Sequence, residues 1–153
     1  MTFVLKDIAD CLIGSADIVD AVENRVFPEV IPQEVRNSQG QRTSLYPCLV
    51  LGIVSNQPEY ALRGESGKHQ TTIQVDVWTD GDRGSFHANE ISELVRNRLS
   101  GYRGQFGSGC YGTARLVRCN SLPVEPTDGS DTHRRRVSMD FELIHTATAP
   151  DLT

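Results

Sequence analysis

The chain has no long apolar run. Its longest, Cys48 to Val54, is only a few residues and has Gly52 inside it. A helix crossing a bilayer needs about 20 apolar residues in succession, so no membrane partner is expected. A leader pattern is missing as well, because Met1-Thr2-Phe3-Val4-Leu5-Lys6-Asp7 meets an aspartate where a signal peptide would place its apolar stretch. Basic charge is scarce. Lys and Arg total 15 against 20 Asp and Glu, a net charge of −5, and the first 80 residues carry the whole excess with 11 acids and 6 bases. A protein that reads duplex DNA usually shows a basic face, so sequence recognition of nucleic acid is not expected. The one basic run, Arg134-Arg135-Arg136, reads as the solvated entrance to a strand.

Motifs of chemistry are also missing. Cys11, Cys48, Cys110 and Cys119 lie 37, 62 and 9 residues apart, so there is no C-x-x-C and neither a zinc ribbon nor a redox pair is supported. Cys11, Cys48 and Cys119 fall in apolar-patterned segments and are expected as reduced core thiols. His69, His87, His133 and His145 form no H-E-x-x-H pair, and three of them stand near element ends where a surface imidazole is ordinary. G-x-S-x-G and the Walker loop are absent. Gly107 to Gly112 matches G-x-G-x-x-G, but a helix enters it and a strand leaves. The dinucleotide turn has the reverse order, which aims helix amides at pyrophosphate, so the segment reads as a flexible loop.

Asp76 and Asp140, with Glu142 two residues along, sit mid-strand on polar faces, and two close carboxylates could do general acid and base work as in glycosidases. No aromatic platform flanks them, so a solvated or subunit-facing sheet surface is the better reading. The expectation is no enzyme, no catalytic residue, no metal and no cofactor.

What is present is a globular balance, 38% hydrophobic and 23% charged. At 153 residues a chain makes one domain and can bury roughly 70% of its unfolded surface. Val4, Leu5, Ile8, Cys11 and Leu12 follow helical spacing with Lys6, Asp7 and Asp10 facing away; Thr2 suits the N-cap and Gly14 the stop. Ser15 opens a second helical turn with Ile18, Val19 and Val22 inward, and Arg25-Val26-Phe27-Pro28 reads as extended. Residues 29–44 show little pattern and read as a binding or assembly loop.

Strands are expected over 45–57 and 71–79 with a polar turn at 58–68 between them, then a helix through Ala88, Ile91, Leu94, Val95 and Leu99. Strands at 114–122 and from Val137 through Leu143 close the fold after a turn-rich stretch, 123–132. This predicts an α+β two-layer domain spanning 1–153, with a mainly antiparallel four-stranded sheet, helices packed on one face and a frayed tail after about residue 146.

Several of these segments resemble the tail-completion and tail-terminator family of long-tailed bacteriophages and gene transfer particles. Arg25-Val26-Phe27-Pro28 is similar to the family's entry motif, and Tyr46-Pro47 opens the first long strand. Pro58-Glu59-Tyr60-Ala61-Leu62-Arg63-Gly64 forms the turn. Ile73-Gln74-Val75-Asp76-Val77-Trp78 and Arg136-Val137-Ser138-Met139-Asp140-Phe141 match the family's two characteristic strands. The loops at 29–44 and 123–134 and the glycine-rich stretch 101–112 depart from the family's usual connections.

The resemblance implies a structural virion protein that caps the tail tube as a ring, ends tail polymerisation and joins tail to head. Its implied partners are further copies in a hexamer, the tail tube protein and a head-completion or connector protein, with DNA passing through unread. Its implied location is the head-proximal end of the tail, after assembly in the host cytoplasm. The acidic first helices (Asp7, Asp10, Asp17) are expected to meet Arg96, Arg98, Arg134, Arg135 and Arg136 of the next subunit. A neck or head-completion protein on the connector is the alternative in the same class, and a small-ligand binding module the alternative outside it.

Overall fold

The computed structural model describes residues 2–23, 25–29, 35–36, 39–40, 42–43, 46–62, 64–80, 84–106, 110–124 and 134–146. Helix α1 covers Thr2–Ile13 and α2 covers Ala16–Val22, so Thr2 begins the helix rather than preceding it. Gly14 ends α1, its N–H bonding the Asp10 carbonyl. The predicted stripe is the buried one: Leu5, Ile8, Cys11, Leu12, Ile18 and Val22 all join the core.

Arg25-Val26-Phe27-Pro28 then becomes strand β1 (Val26–Pro28), which pairs in parallel with the start of β4 (Cys48–Ala61). Two very short strands between them, β2 (Val35–Arg36) and β3 (Arg42–Thr43), form their own antiparallel pair inside the segment read as patternless.

The main sheet has six strands in the order β1-β4-β5-β8-β7-β6. Strand β5 covers Gly64–Asp80, β6 Arg103–Phe106, β7 Cys110–Val124 and β8 Arg134–Thr146. The four long strands are antiparallel neighbours, as expected. The expectation of four strands is corrected to six, because β1 and β6 extend both edges and β1 makes the sheet mixed. Both additions are short, and β6 pairs the glycine-rich segment that was read as a flexible loop. Residues 107–109, 125–133 and those after 146, where the glycine motif's start, the turn-rich stretch and the frayed tail were placed, lie outside the described residues.

Helix α3 (Gly84–Leu99) crosses β5, β8 and β7, burying Ala88, Ile91, Val95 and Leu99. Beneath the helices lie Leu49, Leu51, Ile73, Val75, Val77, Val137, Met139, Phe141 and Leu143, every second residue of three neighbouring strands, so one sheet face is apolar and the other polar. Gly101 takes a positive φ of 79° just past α3, the left-handed stop that its sequence position suggested.

The largest difference from expectation is the hairpin β4–β5. Residues 58–68 are not a polar turn: pairing runs on to Ala61 and Gly64, past the end of β8, whose last partner on β5 is Lys68. Register shifts at Ile53/Ser55 and Pro58/Tyr60 bend this arm. At about 3.3 Å per residue its upper half, 54–61 against 64–72, is roughly 25 Å long.

Candidate functional site

The two strands with the most distinctive sequence, 73–78 and 136–141, pair with each other, and their polar residues are mutual partners. Arg136 Nη2 donates to Asp76 Oδ2 at 2.8 Å while its guanidinium lies 5.5 Å from the centre of the Trp78 ring. Gln74 donates to the Ser138 hydroxyl. Next along the face, Arg118 grips Asp140 through both Nε and Nη2, and Arg115 reaches Glu142 at 3.0 Å. The carboxylates lie low, with side chains 12–20% exposed, while Arg118 and Arg115 are 67% and 74% exposed above them. The open face is therefore a fringe of arginines over buried-leaning acids.

This arrangement does not suit acid–base catalysis by Asp76 and Asp140. Asp76 stands opposite Ser138, which puts Asp140 one diagonal step away, about 7–8 Å. Each carboxylate is held by its own arginine, so the two do not share a proton. Cysteine nucleophiles fare no better: burial pushes the Cys48 thiol up to about 12 and raises that of Cys11 too, so neither supplies a thiolate. Cys119 is exposed, contrary to the core expectation; it lies beyond the register shift at Leu116/Arg118, where the run Val117 to Ser121 of β7 is exposed. No group of His, Cys, Asp and Glu among the described residues could hold a metal ion. Two clefts, about 250 and 220 Å³, are each smaller than the usual ligand pocket of roughly 300–1,000 Å³.

The predicted contact residues scatter. Asp10 and Asp17 are exposed on α1 and α2, and Arg96 is exposed on α3 with Glu93 3.9 Å away. Asp7, expected to face outward, is only 5% exposed, because α1 packs against β1, β4, β6, α2 and α3 and buries more than one stripe. Arg98 ties helix to helix, its Nε bonding the Cys11 carbonyl at 2.9 Å and its guanidinium lying over Tyr102. Arg136 is committed to Asp76, Arg135 is half-buried, and the Arg134 side chain lies outside the described residues.

Sequence reasoning missed Arg115 and Arg118. Their signal was there, two arginines on the strand beside Asp140 and Glu142, but it needs the β7–β8 register to read. It also missed the arm tip, where Tyr60 is 69% exposed and Leu62 fully so. Arg25 gives the entry motif a physical role: its Nε bonds the Pro47 carbonyl at 2.7 Å and its own carbonyl accepts from Leu49 N–H, clamping β1 onto β4.

The surface shows salt-bridged side chains and exposed arginines and no reacting constellation among the described residues. Residues 6–146 match the tail completion protein gp17 family, and the chain belongs to it: this is a phage-type tail structural protein. Among solved structures it is similar to a chain of the virion of a native gene transfer agent particle. The two are 16% identical, the match covers 94% of this chain and 95% of that one, and the TM-score is 0.65. At that identity the likeness is one of fold. No curated protein sequence matches this one.

Proposed function

We propose that copies of this chain close the head-proximal end of the tail tube as a ring, stop its growth and carry the junction with the head. The observation that carries this reading is the family match across 6–146. The geometry supports it. One sheet face is sealed by helices, and the other face, the arm and both edges are available to neighbours. The long free edges are poorly suited to pairing with another sheet: β4 has two register shifts and Pro58, and β7 has a register shift, Arg115, Arg118 and Pro123. Contact through side chains in a closed, head-to-tail ring fits such edges better than open-ended sheet extension.

Asp10, Asp17 and Arg96 remain suited as subunit contacts by their exposure, with Arg115 and Arg118 joining them. Exposed pairs contribute about 0–1 kcal/mol each, so they set orientation more than affinity. The net charge of −5 also suits a conduit through which DNA slides. Deleting the gene and imaging the particles by electron microscopy tests the reading. Overlong or headless tails are expected, and tails of normal length attached to filled heads would overturn it. Normal-length tails that never join heads would move the protein to the neck.

A further inference from the structure

One buried polar cluster plays no part in the open face. It sits on the helix side of the sheet at the root of the arm, where the apolar layer ends. His145 of β8 is 3% exposed and stands directly opposite His69 of β5, their rings stacked with centroids 5.5 Å apart and planes 12° apart. Its Nε2 lies 2.8 Å from Thr71 Oγ1, and Thr71 Oγ1 donates in turn to Asn56 Oδ1 at 2.7 Å. With Asn56 Oδ1 as the acceptor at its end, the chain calls for one tautomer. The single hydroxyl proton of Thr71 goes to Asn56, so Thr71 accepts from His145, whose proton is therefore on Nε2. Nδ1 is then a bare acceptor, and it is buried with no partner.

β7 presses close on the other side. A Cβ on Gly112 would lie 2.7 Å from His145 Cα and nearer still to the Ile144 carbonyl oxygen, so only glycine lets the strands meet there. Among the described residues, the groups placed at the imidazole are His69 and Thr71 from β5, Asn56 from β4, through Thr71, and the Gly112 backbone from β7. Farther out, Glu59 and Lys68 pair across the arm at 3.6 Å. A second proton would enter at Nδ1. Among the described residues it would create a buried N–H with no acceptor, beside another imidazole and with no carboxylate paired to it.

We propose that His145 is a latch that holds only when neutral: the arm stays seated on the body while the imidazole is uncharged, and acid releases it. Three of the strands that meet at this point, β4, β5 and β8, are those whose contact defines the arm's root, and the arm above has no apolar layer of its own. Opening the root exposes the imidazole to water and to its ordinary 6.5. In the closed root burial, with His69, lowers that value. The open state therefore binds more protons in the window below 6.5, so the seated arm has its full stability above that pH and loses it as pH falls. This inference does not depend on the ring.

Hydrogen exchange on the full chain, corrected for intrinsic rates, tests it at about pH 7.5 and about pH 5, either side of the ordinary histidine range. Arm amides over 55–61 and 65–72 should lose about tenfold in protection relative to the core amides of 73–79. Nitrogen-15 spectra of the wild-type side chains should show His145 as the Nε2–H tautomer at the higher pH. In His145→Gln, whose amide can still donate to Thr71 but cannot charge, arm protection should not change with pH. Arm protection that follows the core at both pH values would overturn the proposal. So would an imidazolium at His145 with the arm still protected, or an equal acid response in His145→Gln. The wild-type spectra and exchange decide the matter even if that variant does not fold.

Discussion

The lower and upper halves of the β4–β5 hairpin share one backbone ladder and differ in almost everything else. Below, Leu49 pairs with Val77, Leu51 with Val75 and Ile53 with Ile73, and this face lies under the helices. Above, the pairs are Ser55 with Thr72, Asn56 with Thr71, Gln57 with Gln70 and Pro58 with His69, with no aliphatic pair among them. Val54, Tyr60 and Leu62, the large apolar residues of the upper half, face solvent at 59%, 69% and 109% exposure. Backbone pairing thus sets the arm's shape, while burial holds only the body. Past Lys68, the last partner of β8 on β5, β4 and β5 run on as a two-stranded hairpin; such hairpins are marginal in water on their own, so this end depends on its root and on whatever it meets in the tail. A single structure in this way provides a stable platform and a weakly held projection, a division suited to a part that must fold alone and then dock.

Breaking the lower half should cost most. Phe141 is fully buried, opposite Ile73 and Leu116. Phe141→Ala should destabilise the chain by about 3–5 kcal/mol, read as a lower denaturation midpoint with little change in slope. A cost of less than about 1 kcal/mol would mean the body is not the cooperative unit. The boundary comes next. Gly112→Ala sets a methyl group against the backbone of β8, which cannot swing aside as a flexible side chain would. A loss of about 1–3 kcal/mol is expected from such overpacking. Hydrogen exchange should locate the loosening at the arm's root and not at α3. Uniform loosening would show that root and body are one unit, which would blur the distinction between the halves.

The same contrast explains what the sequence made legible. Alternation marks a strand only when one face is buried, so 71–79 and 137–143 could be read and 58–68 could not: no position in the arm needs an apolar side chain. The segment of β1 is legible as extended but not as a sheet partner, and β6 is not legible at all, because three or four residues, with Pro28 in one and Gly104 in the other, carry no period. Asp7 was assigned to solvent because helical spacing describes a single stripe, whereas α1 is packed on several sides. His145 was within reach. It continues the inward phase of Val137, Met139, Phe141 and Leu143, and only the habit of treating imidazoles at strand ends as surface groups hid it. Of the predicted contacts, Asp10, Asp17 and Arg96 are exposed. Arg98 and Arg136 were not free, because their internal partners, the Cys11 carbonyl and Asp76, come together only once the chain is folded.

The arm's tip should give the smallest effect on folding and the clearest one on assembly. Tyr60 and Leu62 touch too little of the body for their loss to register there, since surface substitutions away from packed features leave stability nearly unchanged. Two large apolar side chains at the end of a polar projection have no role in the isolated fold and suit a partner's surface, where aromatic anchors carry much of the contact energy. Tyr60→Ser combined with Leu62→Ser should therefore leave the denaturation midpoint of the purified chain where it was. Particles carrying the double variant should lose the protein from their tails, which quantitative mass spectrometry of purified particles would show. Retention at the wild-type level would remove the tip from the docking surface and leave the arginine fringe of β7 to carry it. A shifted midpoint would show instead that the arm packs on the body through its tip, and the two halves of the hairpin would then not be separable.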